Sequence, residues 1–433
     1  MRKIKTRDWL LSLATMLGVA SSTYAQDNQY VKQAEAIFGT VEQPLIQQVS
    51  HESCTPACDI ACDTGCDDAC DAAGCGHGYL FGPDEAWDLG DQLFCEDSGW
   101  DIGGWSSWGF STANDGVFAT YPGHFQNNQT NLFVEKVADG SEGIGFGGRI
   151  DVMYGTDASN TQSFGNKFGV FDFNGGAYGV YGWAIPQLYA EVAYDKLSVK
   201  IGHFYTLLGY QVVPATGNFF YSIPYTFNFG EAFTHTGALA TYKASDNLTI
   251  YGGYTFGWDT GFDQLNGGSS FLGGASVGVT DNVTATYILT AGNLGWIGEG
   301  YSHSIVIDYV INDKWEYVFQ TDLDSMSNSP NGSGGPGTHY NAAGVNQYLF
   351  YTISDTVKAG ARVEWWKADG VSMQEMAYGI NYKPLANLTL RPEVRYNWSN
   401  GVPPFLPTVA PNASSVNNYT NNCLFMMDAV LTF

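Results

Sequence analysis

The densest set of reactive side chains in this 433-residue chain is a run of cysteines. Cys54, Cys58, Cys62, Cys66 and Cys70 recur every fourth residue and Cys75 follows, while Cys95 and Cys423 stand apart. Asp, Ala, Gly and Thr fill the spaces between them, so the stretch can build no hydrophobic core and a flexible segment is predicted. In an oxidising compartment such thiols pair as disulfides by default. Three chemistries fit the run: local disulfides, cross-links to other envelope proteins, and a thiolate metal cluster. The even spacing matches no zinc pattern, and neither a metal nor a cofactor is expected.

The seven histidines (His51, His77, His124, His203, His235, His303, His339) are scattered, with no Ser or Asp at a triad-like spacing. No enzyme is expected. A further set of charges gains meaning only if the chain forms alternating strands. Lys358, Arg362, Arg391 and Arg395 gather on late segments, and Glu135, Asp151, Glu191, Asp308, Glu316 and Asp322 lie around the rest. Opposed basic and acidic walls of a pore would create a transverse field that orders solutes and sets ion preference. The plainer alternative is a solvated wall on which Arg362 and Glu364, or Arg391 and Glu393, are merely neighbours.

Strands must position those charges. From Asn387 to Trp398, Leu388, Leu390, Pro392, Val394, Tyr396 and Trp398 alternate with Thr389, Arg391, Glu393, Arg395 and Asn397. Val357 to Trp366, Trp315 to Asp322 and Gln187 to Asp195 alternate in the same way, a period of two that argues strand. Tight Asp- and Asn-rich turns recur, at 244–249, 280–284, 312–314, 354–356 and 384–387, and suit two-residue hairpins. The connections between them are longer and rich in Gly, Asn and Ser, as at 324–340 and 399–420. Short turns at one end and long loops at the other are the rhythm of a transmembrane antiparallel β-barrel, here of about sixteen strands. Pro186 and Pro392 fall inside predicted strands, and a bulge or a missing ladder bond is expected at Pro392. The final run, Phe425 to Phe433, is apolar on one face and ends on an aromatic residue, which reads as an assembly signal at Phe433.

Composition and the N-terminus agree. Charged residues make up 14% of the chain, below the roughly 25% of ordinary domains, while aromatics reach 15%. Mean hydropathy is only −0.13, as expected where lipid-facing and lumen-facing residues cancel. Arg2, Lys3, Lys5 and Arg7 precede the apolar stretch Trp9–Ala20 and the small residues around Ala25, so residues 1–25 read as a secretory signal. Between Gln26 and Asp101, sixteen acidic residues are opposed by Lys32 alone, which disfavours nucleic acid as a partner. The expected organisation is a signal over 1–25, an acidic Cys-rich periplasmic segment over 26–99 and a barrel over 100–433.

Several stretches are also familiar: Val137–Ser141, Arg149–Asp157, Pro186–Tyr194, Leu197–Tyr221 and Phe233–Tyr242. From about Gly104 to Phe433 the chain resembles the porin-2, OmpL-like family of β-barrel porins. The resemblance implies an outer-membrane diffusion channel and supplies no catalytic motif. The third long loop, Gln211 to Gly230, carries Phe219, Phe220, Tyr221, Tyr225, Phe227 and Phe229 and ends beside Glu231. In general porins the loop of this rank folds inward and narrows the lumen; here an inward constriction and an outward contact with a neighbouring subunit both stand. The expected function is passive diffusion of small hydrophilic solutes or ions across the bacterial outer membrane, in contact with its lipid. By analogy the oligomer would be a trimer. The alternative is a barrel-anchored structural envelope protein cross-linked through the cysteines. Overall acidity points to cations and the late basic group to anions, so selectivity stays open.

Overall fold

The computed structural model describes residues 82, 86–94, 98–113, 117–119, 121–173, 180–327, 339–401 and 421–433. The signal, the six clustered cysteines, Cys95 and most of the two longest loops lie outside the described residues. Among those described, sixteen strands form one sheet. They are β1 (Trp100–Ser111), β2 (Phe125–Lys136), β3 (Ile144–Gly155), β4 (Gly182–Tyr194), β5 (Leu197–Tyr205), β6 (Thr234–Ser245), β7 (Leu248–Thr255) and β8 (Ser269–Thr280). The second half adds β9 (Val283–Asn293), β10 (Glu299–Asn312), β11 (Trp315–Ser327), β12 (His339–Ser354), β13 (Val357–Ala368), β14 (Val371–Leu385), β15 (Leu388–Ser399) and β16 (Asn422–Thr432). Each pairs antiparallel with its chain neighbours, and β1 pairs with β16 to close the barrel.

The two-residue period sets which side chain faces where. On β13, Val363 and Trp365 are exposed on the outer surface while Arg362, Glu364 and Trp366 are buried inside. On β15, Val394 and Tyr396 face out, and Arg391, Glu393, Arg395 and Asn397 face in. The same alternation places Phe425 and Met427 outside β16 and Asp428 inside it. The apolar side chains expected to meet lipid are therefore on the outer wall, with the polar ones within.

Six hairpins at one end are two-residue turns: 195–196, 246–247, 281–282, 313–314, 355–356 and 386–387. Asp195 takes a positive φ of 51° there, a conformation short polar side chains tolerate. The opposite end carries the long loops, apart from the tight turn Asp369–Gly370 between β13 and β14, where both residues have positive φ. The two prolines leave different marks. At Pro186 the β3–β4 register shifts between Asp151 and Met153, so β4 holds one extra residue. At Pro392 the register with β14 is kept, but the pairs opposite Arg391 and Pro392 are missing from the ladder. An imino nitrogen donates nothing, and the lost pairing falls where the missing donor requires it.

A short helix, α1 (Leu89–Leu93), precedes β1. Asp88 caps it, its carboxylate accepting from the Gly90 N–H at 2.7 Å. The segment is tied to the short-turn rim by Asn387, which accepts from the Trp87 N–H at 2.7 Å and donates to the Trp87 carbonyl at 2.8 Å.

Closure depends on close approach at β1. Gly104 exchanges two backbone hydrogen bonds with Phe433, at 2.7 and 3.0 Å. A Cβ on Gly104 would lie 2.1 Å from the Asn131 carbonyl oxygen and 2.9 Å from the Phe433 ring. Gly104→Val should therefore lower the fraction of chain that refolds to the compact, heat-modifiable form on semi-native gels, whereas Ser106→Val, two residues along the same face, should leave it largely intact.

Candidate functional site

The interior is dominated by the segment between β5 and β6, residues 206–233. It includes the helix α2 (Tyr225–Gly230), which is buried throughout. The segment lies inside the barrel, because its partners are inward side chains of β10 to β16. Three arginines hold its carbonyls. Arg391 forms a two-pronged ion pair with Asp428 (2.8 and 2.6 Å) and donates to the carbonyls of Ala215 (2.7 Å) and Asn218 (2.5 Å). Arg362 pairs with Glu375 and donates to the Ser222 carbonyl at 2.8 Å and hydroxyl at 2.7 Å. Arg395 pairs with the same Glu375 at 2.5 Å and donates to the Ile223 carbonyl at 2.7 Å. Two carboxylates serve the loop's donors. Glu393 accepts from the N–H and hydroxyl of Ser222, and Glu364 accepts from the N–H groups of Tyr225 and Thr226 at 2.7 and 2.6 Å. Charge-assisted bonds of this kind are the strong ones.

Side chains of the loop fill gaps in the wall. Phe219 sits over Gly360, where a Cβ would come within 2.4 Å of its ring, and Tyr221 sits over Gly109, where the approach would be 2.6 Å. Arg362 lies 4.9 Å from the Phe220 ring centre and Arg395 4.8 Å from that of Tyr225. Toward the long-loop end an aromatic network crosses the mouth. Phe118 lies 5.3 Å from Phe233 and 6.1 Å from Phe227; Phe164 joins Phe233 to Trp296; and Phe229 reaches Trp366 on β13 at 5.6 Å. All of these rings except Trp296 belong to a buried apolar cluster with Trp105, Met153 and Val430, and Trp296 packs against a second cluster that includes Trp258 and Leu294.

The structure brings Arg362, Arg391 and Arg395 together beneath the loop, and Lys358 stands apart, paired with Glu316 at 2.7 Å. Asp322 meets Glu231 through Gln320, whose amide donates to both at 2.7 Å. Glu135, Asp151 and Glu191 lie on the opposite wall. There Arg149 pairs with Glu135 (2.9 Å) and Asp151 (2.6 Å), and Glu191 stands across from Lys200. Neither carboxylate oxygen of Asp308 accepts a hydrogen bond from another side chain or the backbone. Sequence reasoning did not single out Arg149, Lys200, Gln320, Glu375 or Asp428. Its plainer alternative set Arg362 beside Glu364 and Arg391 beside Glu393 as neighbours along one wall. The actual partners lie across the ladder: Asp428 stands directly opposite Arg391 on β16, and Glu375 stands one step diagonally from Arg362 on β14, within reach of its long side chain. The inward glycines at 109 and 360, on faces that otherwise alternate with polar groups, were the available signal for a packed loop.

A family model described as "Putative beta-barrel porin-2, OmpL-like" matches residues 100–433. The chain belongs to this family. No curated protein sequence matches the chain. Among solved structures, the trimer form of the outer membrane protein OmpT of Vibrio cholerae superposes with a TM-score of 0.51 at 12% identity, covering 77% of this chain and 99% of that one. The anion-selective porin from Comamonas acidovorans gives 0.53 at 10% identity, with 77% and 99% covered. A mutant of the Rh. blastica porin gives 0.52 at 12%, with 77% and 100% covered. At these identities the likeness establishes the porin fold alone.

Two measurements probe this porin-2 member's loop. Replacing Arg391 by Met leaves Asp428 buried without its cation and should cost about 3–5 kcal/mol in urea-unfolding experiments, a loss that the double change with Asp428→Leu should partly restore. Asp259, in the loop after β7, accepts from the N–H groups of Phe233 and Thr234 at 2.8 and 3.1 Å, and burial pushes its carboxyl up to about 7 from 3.8. The folded protein thus keeps a proton there that the unfolded chain has lost. Stability from this group is full below pH 3.8 and declines as pH rises to about 7. Melting temperature should show that decline, and Asp259→Asn should flatten it.

Proposed function

We propose that the protein is an outer-membrane porin that passes small hydrophilic solutes or ions by passive diffusion, with residues 211–231 setting the narrowest section. The observation that carries this reading is the inward seating of that segment in a barrel whose outer wall is apolar and whose inner wall is charged. A closed ring of this strand number encloses more than its own side chains can fill, and here the remaining space is partitioned by a clamped loop. Belonging to a porin family supports the same reading, as does the fold shared with the trimeric Vibrio cholerae protein. We propose Lys358, Glu135, Asp151, Glu191, Asp308, Glu316 and Asp322 as wall residues and Phe219, Phe220, Tyr221 and Glu231 as the constriction, with Arg362, Arg391 and Arg395 holding it in place. Export by the leader, outer-membrane location, trimer formation and Phe433 as assembly signal are parts of the same proposal.

The aromatic network across the mouth favours a second reading, a structural envelope protein anchored by its barrel and joined to others through its cysteines. Planar-bilayer recording separates the two. The porin reading expects stepwise conductance from purified, folded, full-length protein, rising when Phe118 and Phe227 are both replaced by Ala. A folded barrel that stays silent in both forms supports the structural reading and overturns the porin one.

A further inference from the structure

We infer that the channel prefers cations, and that the inward face of β10 and β11 sets the preference. The inference rests on the porin reading and adds the class of solute. The basic groups that might have favoured anions are already engaged. Arg362, Arg391 and Arg395 are each ion-paired and each donate to loop carbonyls, so their charge is neutralised and covered. On β13 to β16 these three arginines face four inward carboxylates, Glu364, Glu375, Glu393 and Asp428. On β2 to β5 two cations, Arg149 and Lys200, face Glu135, Asp151 and Glu191. Both sectors come close to balance.

The sector of β10 and β11 does not. Asp308, Glu316, Asp322 and Asp324 face inward, and among the described residues Lys358, paired with Glu316, is the one cation that ion-pairs with any of them. Neither oxygen of Asp308 has a hydrogen-bond partner, although the residue is 2% exposed. One oxygen each of Asp322, Asp324 and Glu316 is also without a donor. On the same face, Asn346 stands across the ladder from Gln320, wholly buried, and its amide oxygen too lacks a donor. Glu231 of the inward loop also reaches this face, joined to Asp322 through the Gln320 amide. The face thus carries more carboxylate oxygens than the side-chain cations and donors around it meet. The carboxylates do not converge as a metal cage would; among the described residues no such group of three exists. They form a strip about two strands wide, whose negative potential would lower the energy of a hydrated monovalent cation passing along it.

The test is the reversal potential of single channels in a KCl gradient, using full-length protein. The expected result is a potassium-to-chloride permeability ratio of about ten, falling several-fold in Asp308→Asn with Asp322→Asn. Chloride preference, or a cation preference untouched by the double change, overturns the inference and leaves the porin reading standing. A folded protein that carries no current overturns the porin reading, and the inference falls with it. If the double variant does not fold, the wild-type reversal potential and the single Asp308→Asn change still decide.

Discussion

A peptide group inside hydrocarbon has no water to bond, so each strand of this protein must find a neighbour on both sides. That requirement governs the structure. It forces β1 to meet β16, fixes an antiparallel ring, and allows irregular backbone at membrane depth only where protein covers it. Deviations are small and local. The extra residue near Pro186, the lapsed pairing at Pro392 and the register shift beside Pro384 at the end of β14 fall where a ring nitrogen cannot supply its bond.

The same requirement explains the charges inside. Residues 206–233 leave the ladder and enter the lumen with a backbone that is largely non-repetitive, so its carbonyls and N–H groups need partners that no strand supplies. Arg362, Arg391 and Arg395 satisfy the carbonyls and Glu364 and Glu393 the N–H groups. Each of these side chains would be costly to bury alone, and each is held by a carboxylate, a guanidinium or the loop itself. The arginines that look like a pore lining in one dimension are therefore the loop's anchors. Glu375, shared between Arg362 and Arg395, ties β13, β14 and β15 into one polar unit under the loop.

Much of this could be read from the residues. Strand positions followed from a period of two, and turn positions from Asp and Asn pairs, because both signals are local and backbone-driven. Which face was apolar was also local. Partner choice was not. Arg391 with Asp428 and Arg149 with Glu135 join residues on neighbouring strands, and their pairing depends on register, which sequence spacing does not contain. The aromatic content of the third long loop was plain, yet its seating depended on absences: the missing side chains of Gly109 and Gly360. The contact of Phe118 with Phe233, between two loops that neither strand pattern nor turn chemistry constrains, left no trace in the sequence.

The loop touches both banks of the line where first and last strands meet. Tyr221 accepts from the Asn128 amide of β2 at 2.8 Å, while Ala215 and Asn218 are gripped by Arg391 of β15. A ring that joins residues more than three hundred positions apart is slow to form, because distant ends must find each other before any contact rewards them. Once formed, this one is bolted across its own seam. Peeling β1 from β16 requires the bolt to be withdrawn first, so escape from the folded state has to break polar contacts on three strands at once, and the barrel's persistence becomes a matter of kinetics more than of equilibrium.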